Sequence, residues 1–327
     1  MSKKIIVLVV AAAILASVHY AGAQQPKKVP RIGYLSSLSA SSDSTRTEAF
    51  RQGLKELGYI EEKNFVIEYE FAQGKLDRLP DLAGELVRLK VDVIVVGGST
   101  ATRAAKNVTK LIPIVMINVT DPVVLGFVAS LARPGGNITG LSNLAPELGG
   151  KRLELLKEIV PQLSRVAVLG DPNSPAYGPQ MNEIEIAARA LGLQLQPVEV
   201  RGLDDLENAF SKKIKGRAGA LIGLQQPTVD ILRERIMGLA AKNRLPVMYP
   251  NRENVEAGGL MSYAADIPTM FRRAAVFVDK ILKGTMPADL PVEQPMKFEF
   301  IINLKAAKAI GLTIPPNVLV RADKVIR

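Results

Sequence analysis

The sequence contains no cysteine, no tryptophan and a single histidine, His19. Without cysteine there is no disulfide, no thiol nucleophile and no thiolate metal ligand. His19 stands inside a short apolar leader, so the body of the chain has no imidazole to act as a base near neutral pH or to bind a transition metal. The common phosphate and nucleophile motifs are missing as well: there is no G-x-x-x-x-G-K-[ST], no strand-borne G-x-G-x-x-G and no G-x-S-x-G. Paired carboxylates such as Glu61-Glu62 and Asp204-Asp205 fall in turn or helix-start contexts and read as solvated surface. The net charge of +10 is dispersed along helix-like segments rather than gathered with aromatic residues, which argues against nucleic acid as a partner. These absences leave a frame suited to binding rather than to chemistry.

The first residues have their own logic. Lys3 and Lys4 are followed by an unbroken apolar run from Ile5 to Ala16, then by Ala21-Gly22-Ala23. A basic start, a short apolar core and small residues at the cleavage positions make a Sec-type signal peptide over residues 1–23. The run is shorter than the roughly 20 residues that span a bilayer. No cysteine follows it, so a lipid anchor is not supported. The expected product is a soluble periplasmic protein beginning near Gln24, held together by packing alone.

At 327 residues the chain exceeds one core, and two domains of about 150 residues are expected. Apolar runs rich in β-branched residues recur: RIGYL at 31–35, FVIEYEF at 65–71, VDVIVV at 91–96 and IPIVMI at 112–117. Between them lie helical patterns, with Phe50, Leu54 and Leu57 on one face and Leu79, Leu82, Leu86 and Leu89 on the next. Alternation of this kind predicts βαβ units and a parallel, doubly wound sheet. A seam falls near 134–144, after which the rhythm restarts with strands at 165–169, 193–200, 218–224, 245–249 and 259–263. The last 60 or so residues hold one strong amphipathic helix around 271–281, an extended Pro-rich stretch at 287–295 and a strand at 298–302, too little for a third core. They suit segments that cross back to the first lobe and return. The fold class expected is therefore α/β, with two Rossmann-like lobes: 24–141 plus about 265–290, and 142–264 plus about 291–327.

In doubly wound sheets ligands bind beyond the carboxyl ends of the strands. Candidate contacts are accordingly the residues that follow each strand. Ser36 and Ser37 follow the first. Gly98, Ser99 and Thr100 follow the third, opening a helix whose free N–H groups suit a carboxylate or phosphate, although turn and cap duty accounts for them equally well. Asn118, Thr120 and Asp121 follow the fourth. Asp121-Pro122 is a helix-start pair, and Asp121 is also placed to receive an ammonium. In the second half Asn173 and Ser174 mirror the first lobe's loop, with Tyr177 just beyond to stack on a flat ligand. Gln225-Gln226 and then Tyr249 follow the next two strands. Each tyrosine also suits plain packing, ring buried and hydroxyl wet. No cofactor and no metal site is expected.

The segments RIGYLSS, FRQGLKELGY, VDVIVVGGSTAT, IPIVMINVTDPVVLGFVASLARPGGNITGLS, EAGGLMSYAADIPTMFRRAAVFVDKILKG and ADLPVEQPMKFEFIINLKAAKAIGLTIPP resemble the ABC-transporter substrate-binding proteins of the family that includes tryptophan-binding members. The resemblance spans nearly all of the chain after the leader. It implies a type I periplasmic binding-protein fold, two α/β lobes joined by three crossovers. It also implies capture of a small molecule in the interlobe cleft and delivery to an inner-membrane ABC permease driven by a cytoplasmic ATPase, with the binding protein a monomer. An amino acid or an aromatic acid is the expected kind of ligand. A ligand-sensing subunit that docks on a membrane receptor would share this sequence pattern. A secreted enzyme is the third alternative, disfavoured by the missing catalytic constellation.

Overall fold

The computed structural model describes residues 29–214 and 217–327. The expected signal peptide lies outside them. The first lobe runs β1 (Arg31–Ser36), α1 (Ser44–Glu56), β2 (Val66–Phe71), α2 (Leu79–Arg88), β3 (Val93–Gly97), α3 (Gly98–Val108), β4 (Ile114–Val119) and β5 (Ile138–Ser142). Its sheet has the order β2-β1-β3-β4-β5 and every pairing is parallel. The central strand explains itself: Val93, Ile94, Val95 and Val96 have no exposed surface, so both faces must be covered. Val93 and Val95 join one apolar cluster with Phe50 and Leu54 of α1, and Ile94 and Val96 join another with Leu79 and Leu86 of α2. β2 is an edge strand, mostly half-buried, as its alternating VIEYEF pattern requires.

The second lobe continues with α4 (Leu148–Ile159), β6 (Arg165–Gly170), α5 (Tyr177–Leu191), β7 (Gln194–Glu199), α6 (Leu203–Ala209), β8 (Ala220–Gly223), α7 (Pro227–Ile231), α8 (Arg233–Lys242), β9 (Val247–Tyr249), α9 (Arg252–Glu256) and β10 (Met261–Ala265). Then follow α10 (Ile267–Leu282), β11 (Phe298–Asn303), α11 (Leu304–Ala309), α12 (Pro316–Leu319) and β12 (Lys324–Ile326). The second sheet has the order β12-β11-β10-β9-β8-β6-β7. Every pairing is parallel except that of β10 with β11, so β11 and β12 run together against the other five strands.

The chain passes between the lobes three times. The first passage follows β5 and leads into α4. The second falls at Asp266, between β10 of the second sheet and α10, which packs on the first lobe through Phe271, Ala274 and Val278. Asp266 caps α10, accepting from the Thr269 N–H, and Pro268 lies in the first turn, so the passage and the helix start coincide. The third passage leaves from the segment at 290–293. That segment lies beside β5, with the Glu293 N–H donating to the Gly140 carbonyl and the Ser142 N–H donating to that of Glu293. It ends in β11. The stretch read as a seam therefore contains a strand, β5, whose five residues are all buried.

Candidate functional site

The carboxyl ends of both sheets face one another across a narrow cavity. Its walls include Ser36 at the end of β1 and Ser37 after it, Gly98, Ser99 and Thr100 at the start of α3, and Asn118 in β4. From the other lobe come Ser174, Gln225, Gln226 and Asp230. Asp43, Arg46 and Phe271 complete it from the α1 and α10 side. The free interior is about 30 Å³, room for a water molecule or two. The lobes are in contact here, and a solute enters only if they part. A larger groove of about 600 Å³ shares Thr100 and Ser174 with the cavity and is lined further by Asn173, Lys75, Arg201 and Ile231.

Each position has a local cause. Asn118 sits where the pairing of β4 with β5 shifts register, between Met116 and Val119, and it adopts the left-handed conformation with φ 59°. The partner strand allows this through Gly140, where a Cβ would lie 1.9 Å from the Met116 carbonyl oxygen. The irregularity places the Asn118 Oδ1 to accept from Gln225 Nε2 at 2.9 Å, a direct bond between lobes. Gln225 is held in turn by Gln180, whose Oε1 accepts from the Gln225 N–H at 2.8 Å. Gln226 Oε1 accepts from the Asp171 N–H at 2.6 Å, leaving its Nε2 buried with no partner among the described residues. The hydroxyls of Ser37 and Thr100 are likewise buried and unpartnered. Buried polar atoms are almost always satisfied, so three orphans lining one cavity from both lobes set it apart.

The strongest electrostatic feature is Arg46, in the first turn of α1. It is 7% exposed. Its Nε donates to Glu253 Oε1 at 3.0 Å and its Nη2 to Glu253 Oε2, a two-pronged contact across the cleft, while Nη2 also reaches Asp230 Oδ2 at 3.2 Å. Asp43 Oδ1 lies 3.8 Å from Nη1, and its Oδ2 accepts from the Tyr34 hydroxyl at 2.8 Å. Asp230 Oδ1 accepts from Asn251 Nδ2 at 2.9 Å. Burial pushes the carboxyls of Asp43 and Asp230 above their ordinary range, against the pull of Arg46, whose own proton the surrounding carboxylates hold still more tightly than usual.

Of the residues expected from the sequence, the structure brings Ser36, Ser37, Gly98, Ser99, Thr100, Asn118, Ser174 and Gln225 to the cavity and Asn173 to the adjoining groove. Thr120, Asp121, Tyr177 and Tyr249 are not among them. Thr120 is 1% exposed and its N–H donates to Ser99 Oγ. Asp121 closes its own turn, Oδ1 accepting from the Val124 N–H at 3.0 Å, and lines neither the cavity nor the groove. Tyr177 packs on the apolar core of the second lobe. Tyr249, 1% exposed, is itself a core residue there. Asp43, Arg46, Asp230 and Phe271 escape the sequence reading because helices or the turn before one carry them. The serine-rich stretch from Ser39 to Asp43, just ahead of α1, is the local signal that could have pointed to Asp43 and Arg46.

Residues 31–326 match the family described as ABC transporter substrate binding protein. The chain belongs to that family. A tyrosine-binding protein of Clostridioides difficile (strain R20291) is 26% identical over 289 residues, 88% of this chain and 82% of the relative. The ABC domain from Streptococcus pneumonia in complex with L-Trp superposes with a TM-score of 0.85 at 26% identity, covering 91% of this chain and 99% of that one. A conserved domain protein from Vibrio cholerae superposes with a TM-score of 0.86 at 30% identity, over 91% and 100% of the two chains. The family is one of ABC transporter substrate-binding proteins, and the related structure in complex with L-Trp holds a small molecule. Among the described residues no helix is long and apolar enough to cross a membrane.

Proposed function

We propose that this chain is the periplasmic solute-binding component of an ABC importer and that its solute is a free amino acid held between the lobes. The single observation that carries the reading is the interlobe cavity in which Ser37 Oγ, Thr100 Oγ1 and Gln226 Nε2 are buried without partners. Thr100 lies in the first turn of α3, where unpaired N–H groups favour a carboxylate. Closing the lobes over the guest removes it from water and strengthens each of those contacts. Closure also fixes the two lobes in one relation, which an inner-membrane permease with its cytoplasmic ATPase can recognise. The tyrosine- and tryptophan-binding relatives favour an aromatic side chain, for which the groove beside Thr100 and Ser174 offers space once the lobes part.

Calorimetry against the L-amino acids, with hexoses and polyols as controls, tests this. Saturable binding of one or a few amino acids is the expected outcome. Binding of a sugar with no response to any amino acid would remove the reading.

A further inference from the structure

The cleft changes character between its inner end and its mouth. The cavity, with about 30 Å³ free, has no room for a large side chain. The groove of about 600 Å³ that shares Thr100 and Ser174 with it does. The inner end of the groove is polar and buried, with Asp171, Ser174 and Thr228. Asp171 is already engaged there: its Oδ2 accepts from the Thr228 hydroxyl at 3.0 Å and its Oδ1 from the Asn173 N–H at 2.9 Å. The mouth carries apolar side chains from both lobes. Leu76 and Leu232 are half-buried, and Leu203 and Ile231 are 49% and 39% exposed. Arg201, on the rim, is taken up by Glu199 at 3.2 Å and Asp205 at 3.9 Å.

Ile231 crosses from one lobe to the other at this mouth. It ends α7, beside the cavity residue Asp230, and a Cβ at Gly74 would lie 3.4 Å from its Cγ2. Gly74 has φ 79°, a conformation that strains a side chain, so bare backbone meets Ile231 here. The turn that holds Gly74 is tied to the cavity wall. The N–H groups of Ala72, Gln73 and Gly74 donate to the carbonyls of Ser36, Leu38 and Ser37 at 2.9, 3.1 and 3.0 Å. The contact is thus braced through Ser37 on one lobe and Asp230 on the other.

We infer that Ile231, set against Gly74, is the residue that selects the solute by its side chain, and that it selects a large apolar one. The polar groups of the solute stay at the inner end, and its side chain runs along the groove to Ile231. A short side chain leaves Ile231 and Leu203 in water, and a charged or amide side chain loses water against them without gaining a partner. This inference rests on the amino-acid reading above and adds to it the residue that discriminates between amino acids.

The test is competition calorimetry on the purified protein with L-alanine, L-leucine, L-phenylalanine, L-tryptophan, L-glutamate and L-lysine, repeated on Ile231→Ala. On the unaltered protein affinity should rise from L-alanine to the larger apolar side chains, with L-glutamate and L-lysine weakest. In Ile231→Ala the preferred large amino acid should lose about threefold to tenfold, the value of one or two buried methylenes, while L-alanine keeps its affinity. Equal weakening of every amino acid would show that Ile231 serves lobe contact alone and would overturn the assignment. So would a preference of the unaltered protein for L-glutamate, which would hand selection to Lys75 at the same mouth, or for L-alanine or L-lysine. The ranking on the unaltered protein decides the matter even if the variant does not fold. Failure of every amino acid to bind is a different result: it removes the amino-acid reading, and the role of Ile231 with it.

Discussion

Ser37 shows how single atoms trade stability for binding. Its hydroxyl is buried without a partner, so the folded protein bears the cost of desolvating it. Ser37→Ala removes that cost. Thermal or urea unfolding of the variant should show stability unchanged or raised by about 1 kcal/mol, while affinity for the solute falls about threefold to tenfold, the value of one neutral hydrogen bond. Lower stability together with unchanged affinity would show that the hydroxyl serves the fold. The sequence exposed this class of residue well, because Ser36, Ser37, Thr100, Ser174 and Gln225 lie at or within four residues of the carboxyl ends of strands, where doubly wound sheets place their ligands. It exposed the charged residues poorly. Arg46, two residues into α1, looks like any helix-surface arginine until the second lobe's Glu253 and Asp230 are brought to it, a meeting over more than 180 positions of sequence. The tyrosines failed for the converse reason. Tyr249 shares its strand-end position with true cleft residues, and only the packing of the second lobe decides that its ring points into the core.

The helix pair α1 and α10 governs the position of Arg46. The two meet at Gly53, where a Cβ would lie 2.3 Å from the Arg272 carbonyl oxygen and 2.9 Å from Ala275 Cβ. Backbone cannot yield as a flexible side chain does, so Gly53→Ala must push α1 off α10. Helix propensity alone favours the change by about 1 kcal/mol, whereas overpacking costs about 1–3 kcal/mol. The overpacking wins, and the variant should unfold at lower temperature. Gly84→Ala on α2 is the matched control, since nothing lies within 4 Å of its Cβ, and it should be stabilising by up to about 1 kcal/mol. Equal shifts in the two melting curves would show that the close contact has no energetic weight. The periodicity of α1 was readable, with Phe50 and Leu54 fully buried as expected, but Leu57 falls past the helix end and is 39% exposed. The partner of α1 was not readable from local pattern, because α10 arrives from the far end of the chain. β5 was hidden for another reason: its ITGLS sequence, with a central glycine set by the register shift, has the composition of a turn.

At the scale of the whole molecule, the two-lobe architecture follows from the βα rhythm, and the returning segments follow from a C-terminal stretch too short for its own core. What rhythm does not encode is how the lobes are held in contact, and that rests on few interactions: Arg46 to Glu253 and Asp230, and Gln225 to Asn118. The protonation of Asp230 and Asp43 therefore bears directly on closure. Both carboxyls are raised from an ordinary value near 3.8 where the lobes meet, chiefly because burial disfavours their charge. When the lobes part, Asp230 regains water and its ordinary value. Between that value and the raised one the closed form binds more protons than the open form, so closure strengthens as pH falls through this window and weakens as pH rises through it. Most carboxylates act in the opposite sense. Glu256 does so here, its value lowered by Lys324 and Arg252, but all three lie in the second lobe and cancel from any measure of lobe separation. Scattering at a series of pH values should give a smaller radius of gyration just above pH 4 than near pH 7, with the difference abolished by Asp230→Asn. A radius that stays constant with pH in the absence of added solute, while the protein remains folded, would show that the lobes are not held by these charges.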